Sequence, residues 1–129
     1  MQTFRVLYVD DEADIREVAT MSLALDPALE VQDCASGQQA LGVAALWQPH
    51  LILLDVMMPE MDGPQTLAQL RAAEQTRGIP VVFITARTQA YEIERFLSLG
   101  AIGVIAKPFD PMALAGQTRR YLDGRASER

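Results

Sequence analysis

Polar residues of three chemical types follow short apolar segments at four places in the sequence. Asp10-Asp11-Glu12 and Asp55 supply carboxylates, and Thr85 and Lys107 supply a hydroxyl and an ammonium group. Carboxylates that lie together repel one another, so they need a cation or raised pKa values. Mg²⁺ suits such oxygen ligands, because it binds one or two carboxylates and phosphate oxygens while keeping several waters. A carboxylate beside the ion can also act as a nucleophile and form an aspartyl-phosphate.

The apolar segments that precede these residues predict the strands of a sheet. They are short, rich in Val, Ile and Leu, and mostly without alternation, which is typical of strands buried on both faces. Gln32 and Asp33 interrupt the second segment, which indicates an edge strand. The predicted strands are Phe4–Val9, Val31–Ala35, Leu51–Leu54, Val81–Ile84 and Gly103–Ala106.

Helical patterns separate the strands. Ser36 and Gln39 are spaced as in a capping box, and Asp62-Gly63-Pro64 is typical of a helix start. Gly100 is typical of a helix end. Asp110-Pro111 predicts the start of a fifth helix. The side chains predicted to face inward are Ile15, Val18, Ala19 and Leu25 in the first helix and Leu114, Thr118 and Leu122 in the fifth.

Five alternations of strand and helix predict an α/β fold in which helices cover both faces of a parallel sheet. Ligands of such open sheets bind beyond the carboxyl ends of the strands. Because Asp10, Asp55, Thr85 and Lys107 each follow a strand, we expect them to meet at that edge. Mg²⁺ and Lys107 would then offset the charge of Asp55.

Each of these residues alone has a simpler interpretation. Asp10-Asp11 could cap the first helix, Asp55 could be a turn residue, and Thr85 and Lys107 could be solvated. Their shared position at one sheet edge favours a binding site.

The bulk composition limits the function classes. The 129 residues indicate one domain, and the net charge of −6 argues against direct nucleic-acid binding, because phosphate backbones favour Lys and Arg. The single cysteine, Cys34, excludes an internal disulfide and fits a reducing compartment. No leader pattern is present, and no apolar run approaches the about 18 residues of a membrane span. We predict a cytoplasmic domain without membrane contact.

Four motifs together resemble the response-regulator receiver domain of two-component signalling. They are VDDE (Val9–Glu12), LLDVMMPEMDG (Leu53–Gly63), ITA (Ile84–Ala86) and KPF (Lys107–Phe109). The resemblance covers about Thr3 to Leu122. It implies a flavodoxin-like doubly wound (βα)5 three-layer sandwich, with a five-stranded parallel sheet in the order 2-1-3-4-5. We assign residues 1–124 to the receiver domain and residues 125–129 to a short polar tail.

The resemblance also implies the phosphoryl-handling residues. Asp55 would be the phosphoacceptor and would take a phosphoryl group from the phosphohistidine of a sensor kinase. Thr85 and Lys107 would contact that group, and the Lys107-Pro108 bond would be cis.

The metal ligands are implied in the same way. Asp11 would bind Mg²⁺ directly, Asp10 mainly through water, and Asp55 would complete the carboxylates. The main-chain carbonyl of Met57 would be a further ligand.

The resemblance implies a phosphorylation-dependent switch rather than an enzyme. The domain would promote its own phosphotransfer and slow autodephosphorylation. Its partners would be a sensor histidine kinase or phosphotransfer protein, and a downstream protein or output domain. The readout surface would be the face of helix four, strand five and helix five, which also allows a homodimer.

Two positions, Val104 and His50, depart from the usual family pattern. Val104 stands where many receivers carry a Tyr or Phe that rotates inward, and Tyr91 is a candidate substitute. His50 replaces a common Asp before the third strand. Met57 and Arg87 lie at variable positions that tend to tune phosphoaspartate hydrolysis in the family.

Two other functions remain open. An aspartate-nucleophile phosphohydrolase would need a second Asp two residues after Asp55, where Met57 stands. A pseudo-receiver would keep the fold as a protein-binding module without phosphorylation. A stand-alone receiver and a piece of a longer chain are both compatible with the sequence, and we favour the stand-alone protein.

Overall fold

A computed structural model describes residues 2–127 of the chain. Five strands alternate strictly with five helices along these residues. The strands are β1 (Phe4–Val9), β2 (Leu29–Cys34), β3 (Leu51–Asp55), β4 (Val81–Thr85) and β5 (Gly103–Ala106). The helices are α1 (Ala13–Leu23), α2 (Gly37–Trp47), α3 (Gly63–Ala72), α4 (Ala90–Ser98) and α5 (Leu114–Ser127).

The strands form one parallel sheet in the order β2-β1-β3-β4-β5. Every residue of β3 and β4 is buried, because helices cover both faces of these central strands. One apolar cluster fills the side of α2, α3 and α4, and a second fills the side of α1 and α5. The predicted three-layer α/β fold and its strand order are therefore confirmed.

The edge strand β2 begins two residues earlier than the sequence predicted. Leu29 pairs with Phe4 in the parallel register and is buried, so the strand includes Leu29 and Glu30. Its middle residues remain partly or fully exposed, as expected of an edge strand.

The predicted inner face of α1 is partly wrong. Ala19 is buried and Ile15 packs against the core, but Val18 and Leu25 are 42% and 61% exposed. Leu25 lies beyond the helix end at Leu23, where helical periodicity no longer applies. Ser22 is buried in their place because its hydroxyl donates to the Val18 carbonyl oxygen, at 2.7 Å.

The predicted helix starts and ends are largely confirmed. Asp62 forms a reciprocal capping box with Gln65, and Gly100 has a φ of 112° after α4. Ser36 accepts from the Gln39 N–H, but the Gln39 side chain accepts from Ala35, one residue before the cap.

The fifth helix differs from the prediction at both ends. A turn at residues 111–113 follows Asp110, which accepts from the Met112 N–H, and the α-helix begins at Leu114. Leu114, Thr118 and Leu122 are buried as predicted. The helix continues to Ser127, beyond residue 124, and the last two residues of the predicted tail lie outside the described part of the chain. The domain boundary at residue 124 stays a prediction.

Candidate functional site

The parallel register brings four strand ends to one level of the sheet. Val9 of β1 pairs with Leu54 of β3. Asp10, which follows β1, and Asp55, the last residue of β3, therefore lie at the ends of adjacent strands. Thr85 pairs with Ala106, which places Lys107 one residue beyond the end of β5. The four predicted site residues on these strands therefore meet at the carboxyl edge.

Asp10, Asp11 and Asp55 form a carboxylate cluster at this edge. Each offers one oxygen, and the three oxygens lie within 4.8 Å of one another. Asp10 and Asp55 are 0% and 3% exposed, whereas Asp11 is exposed. Two buried carboxylates beside an exposed third require positive charge nearby, because repulsion and lost hydration both disfavour ionisation.

Lys107 supplies part of that positive charge. Its Nζ lies 3.1 Å from Asp10 Oδ2, 3.4 Å from Asp55 Oδ1 and 3.4 Å from Glu12 Oε1. Its side chain is 18% exposed, so solvent screens these pairs only in part. The Lys107-Pro108 peptide bond is cis, as predicted.

The pKa values at the site follow from burial and neighbouring charge. Burial, then the negative charge of Asp10, raises the pKa of Asp55 from 3.8 to about 6, against the opposing effect of Lys107. For Lys107, burial alone would lower the pKa, but the bond to Asp10 and the charges of Asp55, Asp10 and Glu12 together raise it. A metal-free cluster therefore holds more negative charge than one ammonium group can fully offset.

Thr85 is 3% exposed and lines a cavity with Asp55, Met57 and Lys107. The cavity has a volume of about 410 Å³. The Thr85 hydroxyl accepts the Arg87 N–H at 3.0 Å, and Arg87 pairs with Glu92 at 3.5 Å. The Met57 side chain is 69% exposed at the cavity rim, and the role of its carbonyl stays a prediction.

Tyr8 and Arg16 hold Asp10 and were missed by the sequence analysis. The Tyr8 hydroxyl donates to Asp10 Oδ2 at 3.2 Å, and Arg16 donates to the Asp10 carbonyl oxygen at 2.8 Å. The signal for Tyr8 is its spacing, because side chains two residues apart on a strand point to the same face. Arg16 also pairs with Asp33 at 3.1 Å, so it ties α1 to the ends of β1 and β2.

Gly63 allows α3 to start directly behind the site. Its N–H donates to the Val56 carbonyl oxygen at 2.8 Å. A Cβ on Gly63 would lie 2.7 Å from the Asp55 carbonyl oxygen and 2.8 Å from Val56 Cα. The glycine is therefore required by the close approach of two backbones.

The departures at positions 50 and 104, and the candidate substitute at position 91, are not members of the carboxylate cluster. His50 precedes β3 at the opposite edge, where its Nδ1 accepts the Arg5 N–H at 2.8 Å. Val104 is partly buried against the core beside α4. Tyr91, on α4, is 66% exposed.

Fold and site define a parallel α/β domain with a carboxylate cluster at the carboxyl edge of its sheet, and comparison with known proteins identifies the family. The family model "Response regulator receiver domain" matches residues 6–119. The chain belongs to the response-regulator receiver domain family of two-component signalling. The resemblance found in its motifs is thereby confirmed.

Relatives and solved structures agree with this assignment. The chain is 36% identical over 118 residues to "DNA-binding response regulator MtrA" of Mycobacterium tuberculosis, covering 92% of this chain and 50% of MtrA. It is 36% identical to "Probable transcriptional regulator ycf27" of Cyanophora paradoxa, covering 92% of this chain and 48% of that protein. The chain thus spans about half the length of these relatives.

Among solved structures, the chemotaxis response regulator CheY4 of Vibrio cholerae has a TM-score of 0.83 at 30% identity, covering 92% of this chain and 98% of CheY4. A response regulator from Desulfuromonas acetoxidans has a TM-score of 0.81 at 28% identity, covering 93% of this chain and 97% of that protein.

None of the helices within residues 2–127 combines the length and apolar character that a bilayer-spanning segment needs.

Proposed function

We propose that this receiver domain is a phosphorylation-dependent switch in which Asp55 accepts the phosphoryl group. One observation carries the proposal. Asp55 is a nearly buried carboxylate at a strand end, with the Lys107 ammonium 3.4 Å from its Oδ1 and two further carboxylates beside it. Burial of these carboxylates is costly unless their charge is compensated, and one ammonium group faces several of them, which favours a cationic ligand at the site.

The carboxylates fit a divalent cation. Their oxygens lie within 4.8 Å of one another, and burial, followed by the negative charge of Asp10, raises the pKa of Asp55. Asp10, Asp11 and Asp55 would hold Mg²⁺, with the Met57 carbonyl as a further ligand. The ion would neutralise charge that develops on the phosphoryl oxygens during transfer.

The transfer step needs an ionised Asp55. Because its pKa is raised only to about 6, the carboxylate is largely ionised near neutral pH. An Asp55 oxygen forms a bond to phosphorus while the phosphorus–nitrogen bond of the donor phosphohistidine breaks. The electron pair of that bond stays on the departing imidazole nitrogen. Lys107 pairs with the phosphoryl oxygens, and the Thr85 hydroxyl donates to one of them.

The switch would follow from the new charge. The Thr85 oxygen accepts the Arg87 N–H, and its own O–H would donate to a phosphoryl oxygen. Movement of Thr85 toward the phosphoryl group would carry the Arg87 N–H with it and bias the loop between β4 and α4 toward a second arrangement. We infer that the domain promotes its own phosphorylation and slow dephosphorylation, without the turnover of a separate substrate.

The partners would be a sensor kinase or phosphotransfer protein and a downstream protein or output domain, reached through α4, β5 and α5. A homodimer through that face and a cytoplasmic location remain predictions.

The relative named DNA-binding response regulator is about twice as long as this chain. The target of the signal could therefore equally well be an output domain attached to the receiver domain. The pseudo-receiver is not favoured, because all of the expected side chains are assembled at one edge.

The test is phosphorylation in solution. The protein is incubated with Mg²⁺ and acetyl phosphate, and its intact mass is measured. We expect one added phosphoryl group, lost in Asp55→Asn and kept in Asp14→Asn, which removes an exposed carboxylate of α1. A chain that gains no phosphoryl group and also fails to bind beryllofluoride would contradict the proposal and favour the pseudo-receiver.

A further inference from the structure

Asp10 is held by more donors than an ordinary strand-end carboxylate. Its Oδ2 accepts the Tyr8 hydroxyl at 3.2 Å and the Lys107 ammonium at 3.1 Å. Its Oδ1 accepts the Glu12 N–H at 3.0 Å. An ionised carboxylate has about four acceptor positions, two on each oxygen. Oδ2 is therefore filled by protein donors, and Oδ1 keeps one position.

Tyr8 is a fixed donor in this arrangement. Its side chain is 0% exposed, and its ring packs edge-on against Phe109 with centroids 6.4 Å apart. A ring locked in the core presents its hydroxyl at one place.

We infer that Tyr8 is a positioning residue for the metal cluster: its hydroxyl orients the Asp10 carboxylate so that Oδ1 remains available to a divalent cation or its bound water. The inference rests on the proposed function, because it assumes that the cluster takes Mg²⁺. Without the hydroxyl, the carboxylate loses one of the three donors that orient it, and within residues 2–127 Lys107 becomes the only side-chain donor to Oδ2. Both changes would weaken cation binding.

The matched test compares two tyrosines that each lose one oxygen atom. Tyr8→Phe removes the hydroxyl that donates to Asp10, whereas Tyr121→Phe removes a hydroxyl of α5 that donates to the Val104 carbonyl oxygen of β5, at 3.4 Å. The Kd for Mg²⁺ is measured by titration calorimetry. Loss of an outer partner of a metal ligand typically weakens metal binding by about 10- to 100-fold, so we expect a rise of about tenfold in Tyr8→Phe. Tyr121→Phe should stay within about twofold of the unmodified protein.

A second readout separates positioning from general damage. If Tyr8 acts through cation affinity, the phosphorylation rate of Tyr8→Phe with acetyl phosphate should fall at low Mg²⁺ and recover at saturating Mg²⁺. A rate that stays low at saturation, or a Kd equal to that of the unmodified protein, would overturn the inference. In both cases the unmodified protein still binds Mg²⁺ and gains its phosphoryl group, so the proposed function stands. An unmodified protein that binds no Mg²⁺ overturns both.

A measurement on the unmodified chain covers the case in which Tyr8→Phe does not fold. The chain has three tyrosines, so ¹³Cζ-tyrosine labelling gives three resonances. The Tyr8 resonance should move along the same saturation curve as Mg²⁺ binding, with Tyr121 as the reference. A Tyr8 resonance that stays fixed to saturation would refute the positioning role.

Discussion

The Lys107 ammonium lies closer to Asp10 than to any other carboxylate it contacts, with Nζ 3.1 Å from Oδ2. Asp10 is fully buried, whereas the lysine side chain keeps 18% of its surface exposed. Asp10 therefore depends on Lys107 to compensate its buried negative charge, while Lys107 keeps contact with the solvent. Lys107 is also the only lysine in the sequence, which makes its titration observable without overlap.

We predict that Mg²⁺ lowers the pKa of Lys107. In the metal-free protein the carboxylates raise this pKa above 10.5, even though burial acts in the opposite direction. A cation bound to the same carboxylates would compete with the ammonium group for their charge. NMR titration of the lysine side chain, with and without Mg²⁺, measures the change. Asp10→Asn serves as the control and should lower the pKa without metal. A pKa that is the same with and without saturating Mg²⁺ would contradict the prediction.

We predict that metal-free stability falls as the pH rises from about 3 to about 7, because of Asp55. Its pKa is near 3.8 in the unfolded chain and about 6 in the folded one, so the folded state binds more protons in this window. The free energy of unfolding then falls as pH rises, by about 3 kcal/mol in total. Asp55→Asn lacks this contribution. Urea unfolding in a chelator across this range should show the variant gaining about 3 kcal/mol relative to the unmodified protein, and a constant difference would refute the pKa.

The site edge could be predicted from sequence because strand alternation and polar strand ends are both local signals. Asp10, Asp55, Thr85 and Lys107 each follow an apolar run, and a parallel sheet must bring such ends together. Strand periodicity places Tyr8 on the same face as Asp10, but a tyrosine within an apolar segment gives no sign that its hydroxyl takes part in a polar site. The hydrogen bonds from Tyr8 and Arg16 to Asp10 could therefore be identified only from the structure.

The errors lie where periodicity meets an element boundary. Helical spacing predicts an inward Leu25, but the helix ends at Leu23, because sequence patterns locate helix ends poorly. The predicted second strand omits Leu29, because the polar residues of an edge strand interrupt the apolar pattern that would mark its start. The roles of Met57 and Arg87 in phosphoaspartate lifetime could not be derived, because they depend on a phosphorylated state.

We predict that Mg²⁺ stabilises the fold through the carboxylate cluster. A ligand that binds only the folded state adds about 2.7 kcal/mol at 100 times its Kd. Asp11→Asn should reduce this gain, because Asp11 is the exposed member of the cluster and a predicted direct ligand. Asp14→Asn should keep it, since Asp14 lies on α1 outside the cluster. Chemical unfolding with Mg²⁺ and with chelator gives the gain for each protein. Equal gains in both variants would argue against Asp11 as a ligand.

We predict that Gly63→Ala damages both the fold and the site, whereas Gly42→Ala does neither. The added methyl group at position 63 would lie 2.7 Å from the Asp55 carbonyl oxygen, and backbone atoms cannot rotate away as a side chain can. Overpacking of this kind costs about 1–3 kcal/mol.

Gly42 is the matched control because it lies in α2 with no atom within 4 Å of an added Cβ. Alanine there should stabilise the helix by about 0.5–1 kcal/mol. Urea unfolding measures both changes, and phosphorylation by acetyl phosphate reports on the site. The added methyl group in Gly63→Ala clashes with the backbone of Asp55, the proposed phosphoacceptor. Phosphorylation of Gly63→Ala should therefore be slow even at saturating Mg²⁺, whereas Gly42→Ala should react at the normal rate. A Gly63→Ala protein with unchanged stability would show that α3 can move away from the end of β3, and an unchanged rate would then show that the site tolerates that movement.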